Sequence, residues 1–345
     1  MAAVLAGAIA VALGPAPGQA QGQDHGYWSH GAPAAVQGIA SDHVASAEFL
    51  SPAEPGPVED ATNSLPSFLP GATSGSSSEF TQAGANAADA DDPWTWQLLP
   101  TGVIYHSYLA GMREPRMAVM WVHEQSRGWM LDGALGGRIG LLRCGTGDAL
   151  WPEGWQLDFE GAAFPRIDVE HELDVLATDF RYGVPITWGM GGFRTKLAFY
   201  HISSHLGDEF MLRYPDYPRI NYVRDGLAWG VSYYLAGDVR LYAEAGWAYH
   251  KDGGAKPWEL QFGVDYSPAE PVLSPRGAPF VAINAHLREE LDFGGNVVVQ
   301  TGWQWRGGSG QLVRLGMQYF SGKSEQFEFY RQTEDKLGLG LWYDF

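Results

Sequence analysis

The sequence predicts an all-β protein, a single antiparallel transmembrane β-barrel of twelve strands behind a disordered amino-terminal segment. Three observations lead there. From Trp94 onward, short segments alternate apolar and polar residues with a period of two, which puts one set of side chains on each face of a strand. Glycine and aromatic residues are abundant (45 Gly, 14 Trp, 16 Tyr and 16 Phe in 345 residues), as close-set strands with aromatic belts require. Mean hydropathy is −0.19, and no run reaches the roughly 18 consecutive apolar residues of a membrane helix. Barrel strands escape such an average because every second residue is polar.

Residues 1–20 read as a signal peptide. An apolar run, "AAVLAGAIAVAL", is followed by helix breakers and by Gly18-Gln19-Ala20, with small residues placed for cleavage after Ala20. A positive n-region is missing from that pattern. Residues 21–92 are small, polar and acidic without periodicity, as in "GATSGSSSEFTQAGANAADADD". Such a stretch cannot bury enough apolar surface to offset its ordering entropy, so a disordered periplasmic linker is expected. Residues 93–116, around "WQLLPTGVIYHSYLAGMREPR", form a pre-barrel segment that either plugs the lumen or lies beneath it.

The barrel is expected over residues 117–345. "MAVMWVHE" (Met117–Glu124) supplies the first strand and eleven more follow between Trp129 and Phe345. In "NVVVQTGWQW", Val297, Val299, Thr301, Trp303 and Trp305 share a face opposite Val298, Gln300, Gly302 and Gln304. "LVRLGMQYF" and "WELQFGVDY" repeat this, and "VRLYAEAGWAYH" sets Val239, Leu241, Ala243, Ala245, Trp247 and Tyr249 against Arg240, Glu244 and His250. The polar faces carry full charges deep within strands, including Asp158, Glu160, Asp179, Arg181, Asp265, Arg288 and Arg314. A soluble sandwich would bury the apolar faces against each other, whereas a membrane barrel turns them to lipid. Apolar faces tipped by Trp or Tyr, and connections that mostly alternate short and long, favour the barrel. The closing strand "KLGLGLWYDF" ends on Phe345, and placing that end in the periplasm puts most short turns there.

Net charge is −18 and no Lys/Arg cluster occurs, so nucleic acid is not an expected partner. Cys144 is the sole cysteine, which excludes an internal disulfide. "GGFRTK" and "GGSGQ" are glycine turns without the strand-to-helix setting of a phosphate loop. Glu289, Glu290 and Asp292 read as a solvated external loop, and His106 and His123 carry no assigned role.

A terminal Phe345 behind alternating hydrophobics, with Gly340 five positions earlier, resembles the carboxy-terminal signal by which the barrel assembly machinery recognises outer-membrane barrels; Gly338 departs from the polar residue usual at its position. Residues from about 93 to 345 also resemble the bacterial domain-of-unknown-function 1207 family. The matching stretches include "EGWQLDFEGAAFPR", "YHISSHLGDEF", "RINYVRDGL", "PWELQFGVDYSP" and "GLGLWYDF". The resemblance implies a bacterial outer-membrane barrel with no assigned activity.

The sharpest chemical constellation is "FYHISSHLGDEF". His201 and Ser203 lie at i and i+2 on one strand face, continuing the lipid-facing Leu197 and Phe199, and His205 extends it. A serine activated by a histidine that a third residue orients is the general acyl-transfer arrangement. The His-x-Ser spacing resembles that of outer-membrane phospholipase A and of lipid A deacylases, with Ca²⁺ the cofactor to expect if the chain is such a hydrolase. Asn221 is the candidate orienting residue, although Ser204-His205 stands where phospholipase A has Asn-Gly. His205, Asp208 and Glu209 are candidate ligand-binding residues. With His201 they have donors for Zn²⁺ or Ca²⁺. The bland alternative is that these residues tie down a long loop. Three functional readings follow: a structural or small-solute pore-type barrel, a lipid acyl hydrolase using Ser203 and His201, and an extracellular β-sandwich that binds a ligand.

Overall fold

Period-two alternation over ten or more residues can satisfy every backbone group only if the strands pair on both sides, and here they do. A computed structural model describes residues 94–235, 237–269 and 276–345; the expected signal peptide and linker lie outside the described residues. After a short β1 (Thr95–Leu98) come twelve antiparallel barrel strands: β2 (Met117–Glu124), β3 (Gly128–Gly145), β4 (Gly154–Asp168), β5 (Asp174–Met190), β6 (Phe193–Leu206), β7 (Val223–Leu235), β8 (Val239–Asp252), β9 (Trp258–Tyr266), β10 (Ala278–Arg288), β11 (Gly294–Arg306), β12 (Leu312–Lys323) and β13 (Thr333–Asp344). Neighbours in sequence are neighbours in space, and β13 returns to pair with β2, from Lys336 opposite Glu124 to Tyr343 opposite Met117. One sheet closed on itself overturns the β-sandwich alternative, which needs two sheets face to face.

The two faces are sorted opposite to those of a water-soluble core. Outward positions are apolar and exposed, among them Leu135, Trp229, Leu315, Leu339 and Leu341. Inward positions are buried and largely charged, with Arg143, Arg166, Arg194, Arg224, Arg288 and Arg314 among the largest fully buried side chains. A continuous apolar belt of this size is one that lipid solvates and water does not.

Buried charges persist only when paired. In the lumen Arg166 bridges Asp132 (2.7 Å) and Glu334 (2.6 Å), Lys336 reaches Asp132 (2.8 Å), Lys196 reaches Glu244 (2.7 Å), and Arg138 and Arg181 both hold Glu160. Residues 99–116 fill much of what remains. Val103, Ile104, Tyr105, Tyr108, Leu109 and Ala110 are buried. Lumen arginines donate to the carbonyls of this irregular segment: Arg143 to Thr101 (3.0 Å) and Gly102 (2.9 Å), Arg138 to Tyr105, Arg240 to Ser107 (3.1 Å) and Arg314 to Leu109 (3.2 Å). The segment lacks a ladder, so these guanidinium groups satisfy carbonyls that would otherwise be orphaned. Gly102 adopts φ +77°, and a Cβ there would lie 2.1 Å from the Ala149 carbonyl oxygen.

One end of the barrel, the terminal end, receives residues 94–116 and the finish of β13. At the other, the loop end, β6 leads into β7 through α1 (Asp208–Arg213), and β12 leads into β13 through a single 3-10 turn at Phe327–Phe329. These two connections pack together as a cap. Tyr222 stacks on Phe327 at 4.5 Å, and Phe210, Tyr217 and Phe329 form an edge-to-face cluster. The Glu328 carboxylate accepts the backbone N–H groups of Ile220 (2.8 Å) and Asn221 (2.9 Å). Beneath the cap, a cavity of about 30 Å³ lies among residues including Arg113, Glu114, Glu259 and His286; a second of about 40 Å³ lies near the terminal end beside Arg240, Asp265 and Arg306. Each holds a few waters at most.

Candidate functional site

Strand parity decides which side of the wall each candidate residue takes. On β6 the even-numbered Ile202, Ser204 and Leu206 point inward and are buried, while His201 and Ser203 are half-buried and His205 exposed on the outward face. The adjacent serines therefore have separate tasks. Ser204 donates to Asp179 in the lumen and accepts the Glu328 N–H (3.1 Å), tying the cap to the wall. Ser203 faces outward, opposite Phe180 on β5 and Val223 on β7.

His201 lies between Tyr182 on β5 and Asp225 on β7. Its ring stacks on Tyr182 (centroids 5.0 Å apart, 27° between planes), and its Nδ1 donates to Asp225 Oδ1 at 2.5 Å. The other Asp225 oxygen accepts Nδ1 of His250 at 2.9 Å. A His201–Asp225–His250 row thus crosses β6, β7 and β8 on the outer face, with side-chain exposures of 24, 23 and 62%. The carboxylate can only accept, so Nδ1 carries the proton of this bond and Nε2 is the lone-pair nitrogen of the neutral ring.

His250 was expected on the polar, inward face of β8. It faces outward because β7 and β8 slip register there: Asp225 opposes His250, but Gly226 opposes Ala248, so Tyr249 is an extra residue in a bulge. A bulge re-aims the side chains beyond it. Asp225 itself was legible but not singled out. It shares the parity of Leu227 and Trp229, and a carboxylate in register with such residues is a polar group on the lipid side.

The remaining candidates are not gathered at Ser203. Asn221 is exposed in a left-handed conformation (φ 52°), its N–H spent on Glu328; the partner of His201 is Asp225. Asp208 and Glu209 are exposed in the first turn of α1. His205 rests edge-on against Phe180 (5.8 Å), and its Nδ1 accepts from Arg219 at 3.5 Å. Among the described residues no three His, Cys, Asp or Glu side chains converge as a metal site. Nor does a hydrogen bond join Ser203 to His201; the imidazole is parked on Tyr182.

The height of the row matters as much as its composition. Outward residues of β6 run Phe193, Thr195, Leu197, Phe199, His201, Ser203. At about 3.3 Å per residue and a tilt of about 40°, Ser203 stands about 25 Å above Phe193, the height of an outer-membrane barrel's apolar belt. Tyr182, Trp247 and Tyr249 lie at the level of the row, and Trp155, Trp188 and Phe193 mark the opposite girdle. Ser203 thus stands at the loop-end edge of the apolar belt.

A closed twelve-stranded barrel of outer-membrane type, its lumen filled and its unusual polar row turned outward, is the class these features define. Within that class the chain belongs to the family described as "Protein of unknown function (DUF1207)", which matches residues 77–345. No curated protein sequence matches the chain. Among solved structures it is similar to outer membrane phospholipase A from Escherichia coli (10% identity over 66% of this chain and 93% of that one, TM-score 0.45). It is also similar to the Salmonella typhi outer membrane phospholipase dimer with bound calcium (11%, 70% and 91%, TM-score 0.48) and to a triple mutant of Rhodopseudomonas blastica porin (9%, 67% and 98%, TM-score 0.29).

Proposed function

We propose that this protein is an outer-membrane barrel that does not conduct and that hydrolyses acyl esters of membrane lipid at its outer face, with Ser203 as nucleophile, His201 as general base and Asp225 as the group that orients His201. The observation that carries the reading is the 2.5 Å bond from His201 Nδ1 to Asp225, on the same outward face as Ser203 and at headgroup height. A structural role alone would not call for two imidazoles on one carboxylate beside a serine on a face that is otherwise mostly aliphatic and aromatic.

In the proposed cycle His201 Nε2 takes the proton of Ser203 Oγ as the oxygen attacks the ester carbonyl. The imidazolium, held by Asp225, then protonates the departing alcohol, and an acyl-serine remains. Water, deprotonated by the same Nε2, releases the fatty acid and restores Ser203. His201 must leave Tyr182 and swing toward Ser203 while keeping its bond to Asp225. Catalytic hydrogen bonds in unliganded sites are commonly long and close only around substrate. With the short turns on the periplasmic side, the loop end meets the outer leaflet, where the site finds its substrate.

The test compares wild type, Ser203→Ala and His201→Gln, each folded in detergent, for release of fatty acid from phospholipid and lipid A micelles with and without Ca²⁺. Loss of release in both variants is expected. Equal release by wild type and Ser203→Ala removes the serine from the mechanism.

A further inference from the structure

Just beyond Ser203, on the side away from the apolar belt, His205 and Arg219 meet on the outer surface. His205 follows Ser203 by two residues on the same face, about 6.7 Å further along the strand. Arg219 arrives from the β6–β7 connection and donates to His205 Nδ1 at 3.5 Å. That bond leaves the His205 Nε2–H and the other guanidinium donors unengaged, all on a face where both residues are exposed.

Arg219 also differs from the other arginine of its loop. Its loop neighbour Arg213 is paired with Asp174 and Asp168, whereas among the described residues no carboxylate forms an ion pair with Arg219. The acid of the adjacent cap, Glu328, lies in the field of Arg219 but beyond salt-bridge reach, its oxygens taken by the N–H groups of Ile220 and Asn221. An arginine with no carboxylate in salt-bridge contact, at the level of lipid headgroups, presents planar donors to an anion, and phosphate is the anion its fork fits. The T-shaped contact with Phe180 fixes the His205 ring, so the second donor is already aimed.

We propose that Arg219 and His205 form a phosphate subsite, so that the acyl ester cleaved at Ser203 is carried by a phosphate-bearing lipid. This rests on the hydrolase reading above. Glycerol or a sugar ring separates a lipid's phosphate from its nearest ester by a span comparable to that between His205 and Ser203. With phosphate on Arg219 and His205, the ester lies over Ser203 and the acyl chain runs down Phe199, Leu227 and Trp229 into the belt. Two sources share this chemistry, glycerophospholipids and the phosphorylated glycolipid lipid A.

Binding is measured first, with the full chain carrying Ser203→Ala so that no turnover intervenes. The probes are dihexanoylphosphatidylglycerol, lipid A in mixed micelles, and neutral dihexanoylglycerol. At least one phosphate-bearing probe should bind about tenfold more tightly than the neutral diester, and which one does so names the source. Adding Arg219→Gln or His205→Gln should bring that ratio close to one, while Arg219→Lys should retain part of it. Equal affinity for phosphate-bearing and neutral probes, or a ratio unmoved by Arg219→Gln, overturns the subsite. Acyl release by the wild type separates the two ideas. Release without phosphate selectivity sinks the subsite and leaves the hydrolase standing; selective binding with no Ser203-dependent release sinks the hydrolase and leaves a lipid-phosphate site. Both residues are exposed, and unchanged heat-modifiable migration of the variants checks that the barrel has folded.

Discussion

At the scale of single residues, Asp225 is the position on which the chemistry turns. Asp225→Asn keeps the shape but replaces an acceptor-only carboxylate by an amide, which loses the charge that would stabilise the His201 imidazolium. Acyl release should fall by about 10²–10⁴-fold, as when an orienting aspartate is neutralised in other triads. His250→Gln should cost only a few-fold, since His250 touches the far oxygen and is the most exposed of the row. A second residue-scale expectation concerns Glu325, in the β12–β13 connection. Burial pushes its carboxyl up, but His286, with Arg288 and Arg113, outweighs burial and holds it down at about 2 against an ordinary value of 4.5. A depressed acid stabilises the fold fully above its unfolded value and loses that contribution as pH falls toward the folded one. The thermal midpoint of heat-modifiable migration should therefore drop between pH 6 and pH 3, and Glu325→Gln should flatten the drop. An unchanged slope in the variant assigns the acid sensitivity elsewhere.

At the scale of elements, the twelve barrel strands were legible because lipid and lumen impose opposite polarity on alternate residues, and a period-two signal survives without knowledge of partners. What parity could not give was register. The extra Tyr249 shifts His250 to the outer face, and nothing in "GWAYHKD" announces a bulge. Asn221 was read as the partner of His201 from chain order, whereas the pairing of β6 with β7 brings Asp225 there instead. β1 went unforeseen because four residues carry too little alternation to stand out; it forms only because β3 runs beyond β2 and offers Leu142–Gly145 as an edge. The closing strand shows how register constrains sequence. A Cβ on Gly338 would sit 2.0 Å from the Trp121 carbonyl oxygen on β2, and one on Gly340 would sit 2.2 Å from the ring of Trp342. Trp342 is itself boxed in by Phe280 and by the guanidinium of Arg314, 5.0 Å above its ring. Gly338→Ala and Gly340→Ala should each destabilise the barrel by about 1–3 kcal/mol, visible as lower unfolding midpoints in denaturant. Gly338→Ala should be the worse, because backbone yields less than a side chain.

At the scale of the whole molecule, twelve strands enclose a space that side chains and one chain segment can fill, which is the ground for proposing a barrel closed to solutes. The closure is not made by the wall alone. The wall's arginines are satisfied by the carbonyls of residues 101–109, and Arg113 and Arg116 of the same segment are paired with Asp179 (2.7 Å) and Asp344 (3.1 Å). Removing residues 99–116 would expose to water and counter-ions the N–H groups that Arg143, Arg138, Arg240 and Arg314 now give to its carbonyls, although Arg138 keeps Glu160 and Arg314 keeps Asp344. The full chain in planar bilayers should thus show no steady conductance. The chain lacking residues 99–116, once it passes the heat-modifiability check for a folded barrel, should show ohmic conductance. Arg116→Met should give brief openings rather than a steady pore, since it loosens the segment at one ion pair and two carbonyl contacts and leaves the others in place. A conducting wild type would overturn the plugged-barrel account, and a silent deletion variant would mean that the lumen charges collapse onto one another without the segment. Either result leaves the outward row of His201, Asp225 and Ser203 untouched, because wall chemistry and lumen chemistry lie on opposite parities of the same strands.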